Sequence, residues 1–460
     1  MFQNQKFQPL IEDIKFCNNY IKKTRSLKLS LYAVLVYVII TILCFIFVPM
    51  IIPLENTIIA NDFRIFYQSA EIIVTDPTQL YASSVYNMPF RYMPMFSLLF
   101  IPYTFISFEA GFIIHTILMG IVHIISFYLI LITSTKWFNI SFNSRIKRDM
   151  LYLTLMAPLQ VPLLLIGQVT EIFILLILLI ILLIENEKIR RYKINYAYFF
   201  IGFLVGISIS YKPFAFLLLP LLLKLSISFK NKKLQFELKQ MLLASLGFLT
   251  SFSINVIYWI SYPSLFIEFV EINFSSQLLD YPSTSITRII FILFNAFSFQ
   301  ISEFVIIAIS IFILFGLLFT IFILISNNEK NYPVLLGMGI LITMITLPDS
   351  WFLNFLIWFM IAVPGLFKLE EDLQFMVSEK KRKKLKQSFY LIYKFSQYGI
   401  LFFTVGVVLG LTILPFDPIL PLLIVIIYIL LSWRLVLFIK KDTTPKKKKK
   451  LIRIKNNLTI

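Results

Sequence analysis

LSLYAVLVYVIITILCFIFVPMII, residues 29–52, contains no charged side chain. At about 1.5 Å per residue this run makes a helix of roughly 36 Å, longer than the ~30 Å hydrocarbon core of a bilayer. It does not alternate, so it is a helix rather than a strand. Before it stand Lys6, Lys15, Lys22, Lys23, Arg25 and Lys28. Positive residues flank spans on the cytosolic side, so residues 1–28 are expected inside and the far end of the run outside. The arm is too polar, and the run after it too long, for a cleavable signal.

The rest of the chain repeats the pattern. Hydrophobic residues make up 59% of it, charged residues 14%, and mean hydropathy is +0.85. A soluble domain is nearer a quarter charged. Further apolar segments run at 93–107, 110–134, 151–166, 169–185, 195–211, 213–227, 241–262, 303–326, 332–347, 351–368, 395–415 and 419–438. Long non-alternating runs exclude a membrane β-barrel. The expected fold class is an all-α polytopic membrane protein. Lys- and Arg-rich loops at 185–193, 230–240 and 368–394, and the tail beyond Lys440, are expected to be cytosolic. Both termini inside requires an even number of crossings. About twelve result if 93–107, short and carrying Pro94 and Pro102, does not cross, or if 151–185 makes a single broken crossing. The division is an arm at 1–28, a membrane domain at 29–440 with an external loop at 53–92, and a polybasic tail at 441–460.

Net charge is +18, with Lys446 to Lys450 in one block. Its place at span ends and in the tail points to anionic membrane lipids, not nucleic acid. Cys17 and Cys44 make no disulfide framework, and no metal-ligand spacing is present, so no cofactor is expected.

After the first run comes NDFRIFYQSAEIIVTDPTQLYASSVYNMPFRY, residues 61–92. Phe63, Phe66, Tyr67, Ala70, Ile73 and Val74 recur at helical spacing, with Arg64, Gln68 and Glu71 on another face. This reads as an amphipathic helix lying flat on the outer surface, capped by Asn61 or Asp62 and ended by Asp76-Pro77. The same topology puts Gly167-Gln168, Tyr211-Lys212-Pro213, the loop 263–287 and Leu347 to Trp351 on that side.

Among these polar residues, Asp62 is either an N-cap or a general base beside the membrane. Lys212 interrupts an apolar run. It either snorkels at a span end or binds an anion, phosphate above all. Arg91 and Arg288 are external cations open to the same two readings. Gln168 either caps a helix or holds sugar hydroxyls. Glu171 opens a span, where the helix dipole accounts for it. His115 and His123 are eight apart, which is no metal pair, and read as packing or interhelical hydrogen-bonding residues. Nucleotide-binding and zinc-protease motifs are absent.

Taken in order, these residues resemble glycosyltransferase family 87, the polyprenol-phosphate-mannose-dependent mannosyltransferases of the GT-C superfamily. The resemblance rests on Asp62-Phe63 with Phe66-Tyr67, Leu80-Tyr81, Tyr92-Met93-Pro94 and Pro102. It continues in Gly167-Gln168-Val169-Thr170, in Lys212-Pro213 after Gly202 and Gly206, in Asn273 to Ser276 with Arg288, and in Pro348 to Trp351. It covers residues 29–368 and departs at Thr170 (usually Asn), Phe274 (usually Gln) and Asn354, where a histidine is common. What it implies is a GT-C bundle with juxtamembrane helices in the first external loop. It also implies a sugar donor on polyprenyl or dolichyl phosphate, and a glycolipid or glycan acceptor attacking with inversion. Asp62 would be the base, Lys212 and Arg288 the phosphate ligands, with Arg91 added on physical grounds. Tyr67, Tyr92, Gln168, Trp351 and Asn354 would line the sugar and lipid groove, and no metal is required. A transporter or flippase of lipid-linked sugars would share the hydrophobicity and the outer cations, and would carry inverted repeats.

Overall fold

The computed structural model describes residues 4–54, 57–82, 86, 88–137, 145–157, 160–189, 196–212, 215, 227–230, 233–236 and 238–274, with scattered positions between 287 and 360. Helix α1 (Asn4–Lys23) joins α2 (Arg25–Phe47) through Thr24. There follow α3 (Asn61–Thr75), α4 (Pro94–Phe100), α5 (Phe108–Ile132), α6 (Arg145–Met156), α7 (Gln160–Ile166), α8 (Thr170–Ile189) and α9 (Ala197–Tyr211). Then come α10 (Leu238–Ser261) and α11 (Pro263–Phe274). The described residues are almost all helical, as the all-α expectation has it, with one local exception. The Lys-rich stretch after residue 226 holds an antiparallel hairpin, Ile227–Lys230 paired with Lys233–Phe236. Segments 303–326, 332–347, 351–368, 395–415 and 419–438 lie almost wholly outside the described residues.

Among the described residues three helices are long and apolar enough to cross a membrane: Arg25–Met50, Phe108–Thr135 and Leu238–Ser261. Their surfaces are sorted for lipid. On α2, Leu35, Ile39, Leu43 and Phe47 face outward, while Ser30 and Thr41 are fully buried. On α10, Leu242, Leu246, Leu249 and Ile257 are exposed, and Ala244, Gly247, Ser251 and Asn255 are buried. Large apolar side chains outward and small or polar ones inward is the partition a helix adopts in hydrocarbon. The Pro94–Phe105 segment is shorter. Pro102 follows the α4 helix, and the chain tightens into a 3₁₀ turn over Ile101–Phe105.

Helices α2 and α5 run in opposite directions. Phe45, late in α2, lies 4.4 Å from the ring of Phe112 early in α5. At the other end, the Tyr128 hydroxyl donates to Asn18 of α1 at 2.6 Å. So α1 and the start of α3 sit at opposite ends of a layer about 33 Å thick, the length of α2.

The tightest packing joins α9 to α10. Gly202 and Gly206 form a small-xxx-small pair against Ala244, Gly247 and Ser251, so the two backbones nearly touch. Asn255 then bonds outward in two directions. Its amide donates to Ser210 Oγ at 2.8 Å, and its Oδ1 accepts the Met95 N–H at 2.8 Å. That N–H, in the first turn of α4, has no partner within its own helix. One side chain therefore ties α4, α9 and α10 together.

A second buried pair ties α5, α6 and α8. His123 Nδ1 is 2.9 Å from Glu171 Oε1, and Nε2 is 2.7 Å from the Leu155 carbonyl. The carbonyl can only accept, so Nε2 carries a proton and the imidazole plane is set. Both side chains are buried. His123→Leu would strand Glu171 and is expected to cost about 3–5 kcal/mol, whereas His123→Leu with Glu171→Leu recovers most of the loss. Thermal unfolding in detergent separates the two. A single variant as stable as the parent would deny the pair a holding role.

Candidate active site

The site begins with a turn. Gly167 ends α7 in the left-handed region, at φ 75. Its N–H donates to the Leu164 carbonyl at 3.1 Å, and the next N–H, of Gln168, reaches back to Leu163 at 2.9 Å. This paired closure needs a residue with φ > 0 at its second-last position, which glycine supplies without strain. Nor is there room for a side chain, since a Cβ on Gly167 would lie 2.5 Å from Cβ of Phe63. The next unsatisfied carbonyl of α7, Leu165, accepts the N–H of Ala60 at 2.7 Å. That bond stitches the start of α3 to the end of α7 and brings Asp62 beside Gln168.

Two expectations about α3 are corrected here. Its N-cap is Ala60, itself left-handed at φ 59, and not Asn61 or Asp62. With Ala60 tied to Leu165, the helix starts one residue earlier, and Asp62 falls in the first turn. There the helix's positive end favours a carboxylate. Second, the apolar face of α3 is covered by protein rather than lying on lipid. Phe63, Ile65, Phe66, Ser69, Ala70 and Ile73 are buried. Phe63 is fully buried among Tyr103, Phe108, Phe112 and His115, with ring centroids 5.1 to 5.7 Å away. Burying one such ring stabilises by roughly 2–3 kcal/mol, enough to fix the residue beside it.

Gln168 is the hub. Its Nε2 donates to Asp62 Oδ2 at 2.6 Å. Its Oε1 accepts from the Val169 N–H at 2.9 Å, from the Tyr92 hydroxyl at 3.2 Å and from Lys212 Nζ at 3.3 Å. Lys212 Nζ is also 3.5 Å from the Tyr92 hydroxyl and 5.5 Å from its ring centroid, within reach of the ring's negative face. One amide thus joins a carboxylate to an ammonium.

Each partner is held from behind. The Tyr92 ring stacks on Phe96 at 4.1 Å and meets Phe66 edge-on at 5.1 Å. The Tyr81 hydroxyl donates to the Tyr92 carbonyl at 2.8 Å. Burial pushes that hydroxyl well above the usual phenol range, so it stays a donor. Lys212 follows the last residue of α9, its N–H bonded to Ser208 at 2.9 Å, and it is 8% exposed. Lys212 itself is extended, at φ -142 and ψ 98, as suits a residue before proline, and the negative end of α9 suits a cation.

Asp62, Tyr92, Gln168 and Lys212, four of the residues singled out in sequence, therefore meet in one hydrogen-bonded group. Tyr67 is not part of it. Its hydroxyl donates to the Ile106 carbonyl at 3.0 Å, and its ring lies against Phe63 and Phe108. Arg91 is half-buried in the segment that leads into α4, next to Tyr92. Arg288, Trp351 and Asn354 lie outside the described residues. Two residues that hold the site escape a reading of the sequence. Ala60 carries no signal at all. Asn255 does: a polar amide within the apolar run 241–262 marks an inward-facing position. Among the described residues no group of three or more His, Cys, Asp or Glu is placed to hold a metal ion.

Neither a protein-family model nor a curated protein sequence matches this chain.

Proposed function

We propose that the chain is a membrane glycosyltransferase of GT-C type with about twelve spans. It would move a sugar, mannose by the resemblance, from a polyprenyl or dolichyl phosphate to a hydroxyl of a glycolipid or glycan on the outer face. The observation that carries this reading is the meeting of Asp62, Gln168 and Lys212, a base and a cation held on one amide. An acceptor hydroxyl attacks the anomeric carbon. The bond from that carbon to the phosphate oxygen breaks, the lipid phosphate leaves with the electron pair, and Asp62 takes the hydroxyl proton. The leaving phosphate gains one negative charge, which a nearby cation stabilises more in the transition state than in the donor.

The hydrogen-bond count on Gln168 supports Lys212 as that cation. Three donors crowd one amide oxygen, which has two lone pairs. The bond to Lys212 is the longest of the three and the easiest to exchange for a phosphate oxygen. Lys212→Gln is expected to lower kcat/KM for the donor about 10–100-fold, as loss of a charge-assisted hydrogen bond does. An unchanged kcat/KM would remove Lys212 from the donor site.

The direct test is transfer from tritiated mannosyl polyprenyl phosphate to a panel of glycolipids by purified protein in liposomes. Transfer supports the proposal. Release of intact donor across the bilayer without transfer would overturn it in favour of lipid-linked sugar transport.

A further inference from the structure

Helix α1 lies at the end of the layer opposite the candidate active site. Asp13, Cys17 and Ile21 recur at four-residue steps on α1 and are buried against the bundle. The Cys17 thiol contacts the Tyr128 carbonyl, and Asn18 accepts the Tyr128 hydroxyl. On the helical wheel Leu10 lies in line with this stripe, Ile14 beside it, and Ile11 farther round beyond Asn18. These three apolar residues are 38%, 41% and 42% exposed. In water an apolar group of that kind beside a protein contact is costly. Beyond Ile11, on nearly the same line of the helix, come Lys15 and Lys22, both exposed, as are Lys23, Arg25 and Lys28. Glu12 is the exposed acid of α1, and Asp13 is buried.

The helix surface is thus divided among protein, an apolar strip and a cationic edge. Its position matches that division. Directly after Lys28, α2 begins to expose Leu29 and Tyr32, at 53% and 63%. The exposed apolar residues of α1 therefore stand in the chain directly before the outward face of a candidate span begins. We propose that α1 is an interfacial helix bound to an anionic leaflet. Leu10, Ile11 and Ile14 enter the acyl boundary. Lys15, Lys22 and Lys23 lay their stems along it and reach lipid phosphates. A soluble partner would not account for exposed apolar residues and a cationic edge placed directly before a candidate span.

The test uses the full chain in liposomes. A nitroxide is placed at Ile14→Cys or, as a water-facing control, at Asn19→Cys, in a Cys44→Ser background. Cys17 is buried and escapes labelling. Collision with oxygen reports lipid, and collision with a nickel chelate reports water. In vesicles with phosphatidylglycerol the Ile14 label should favour oxygen several-fold over the chelate, and the Asn19 label the reverse. Replacing phosphatidylglycerol by phosphatidylcholine, or Lys15, Lys22 and Lys23 together by Gln, should shift the Ile14 label toward water. Equal chelate access at both sites overturns the proposal. A label at Ile14 shielded from both reagents, with spin–spin broadening, overturns it in favour of a second copy of the chain. Insensitivity to lipid charge overturns the anionic requirement.

Discussion

Asp62→Asn is expected to lower sugar transfer by about 10²–10⁴-fold with the fold intact. The substitution is a clean one at this site. Asparagine keeps an oxygen that can accept the 2.6 Å bond from Gln168 Nε2, so the hub stays assembled. Phe63, the anchor of this turn, is untouched, as is the bond from Ala60 to Leu165. What disappears is the capacity to take a proton. A parallel thermal unfolding curve within a degree or two of the parent would show that stability is unchanged. Transfer by the variant at the parental rate would remove Asp62 from the mechanism, and with it the centre of the proposed reaction. The mirror experiment, Lys212→Gln, acts on the donor side of the same amide. Both variants lower kcat at saturating donor, because each group acts on charge or a proton that moves in the transition state, and the Lys212 variant adds a rise in donor KM to the extent that the ammonium also holds the donor phosphate.

Gly202→Leu is expected to be the most damaging change to stability, above about 3 kcal/mol. A Cβ at Gly202 would lie 1.8 Å from the Ala244 carbonyl oxygen and 2.7 Å from its carbon. Both atoms are backbone in the middle of a helix, so neither can rotate aside. The helices α9 and α10 would have to separate along their whole contact. Gly247→Leu should behave alike, because its Cβ would meet the Phe199 carbonyl oxygen at 1.9 Å. The lipid-facing change Leu246→Ala, one residue away on α10 and 56% exposed, should stay within about 0.5 kcal/mol. Loss of the unfolding transition, or of monodisperse protein in detergent, is the readout. A Gly202 variant as stable as Leu246→Ala would mean that α9 and α10 do not pack backbone to backbone. The change should also disturb Lys212, since α9 ends at that residue and Asn255 fixes its last turn through Ser210.

How much of this was legible in the sequence differs by level. The long apolar helices were legible because hydrocarbon imposes a length and forbids charge, and both are properties of a linear string. Residues 29–52, 110–134 and 241–262 correspond to the three longest apolar helices described. The individual site residues Asp62, Tyr92, Gln168 and Lys212 were legible for a related reason. Polar groups at the ends of apolar runs are conspicuous.

Their relation to one another was not legible. Nothing in the order of residues says that Gln168 stands between Asp62 and Lys212, or that its amide faces both. That was decided by one backbone bond, Ala60 to Leu165, and by a glycine too crowded to carry a Cβ. Gln168, read in the sequence as a helix cap or a ligand for sugar hydroxyls, also bonds both Asp62 and Lys212 through its amide. The aromatics of residues 61–92 change setting. Phe63 and Phe66 read as the membrane-facing side of a flat-lying helix, yet both are buried in protein, beside Asp62 and against Tyr92. Periodicity reports that a helix has an apolar face. Only the tertiary structure decides whether lipid or protein covers it, because both are apolar and the sequence pattern that suits one suits the other.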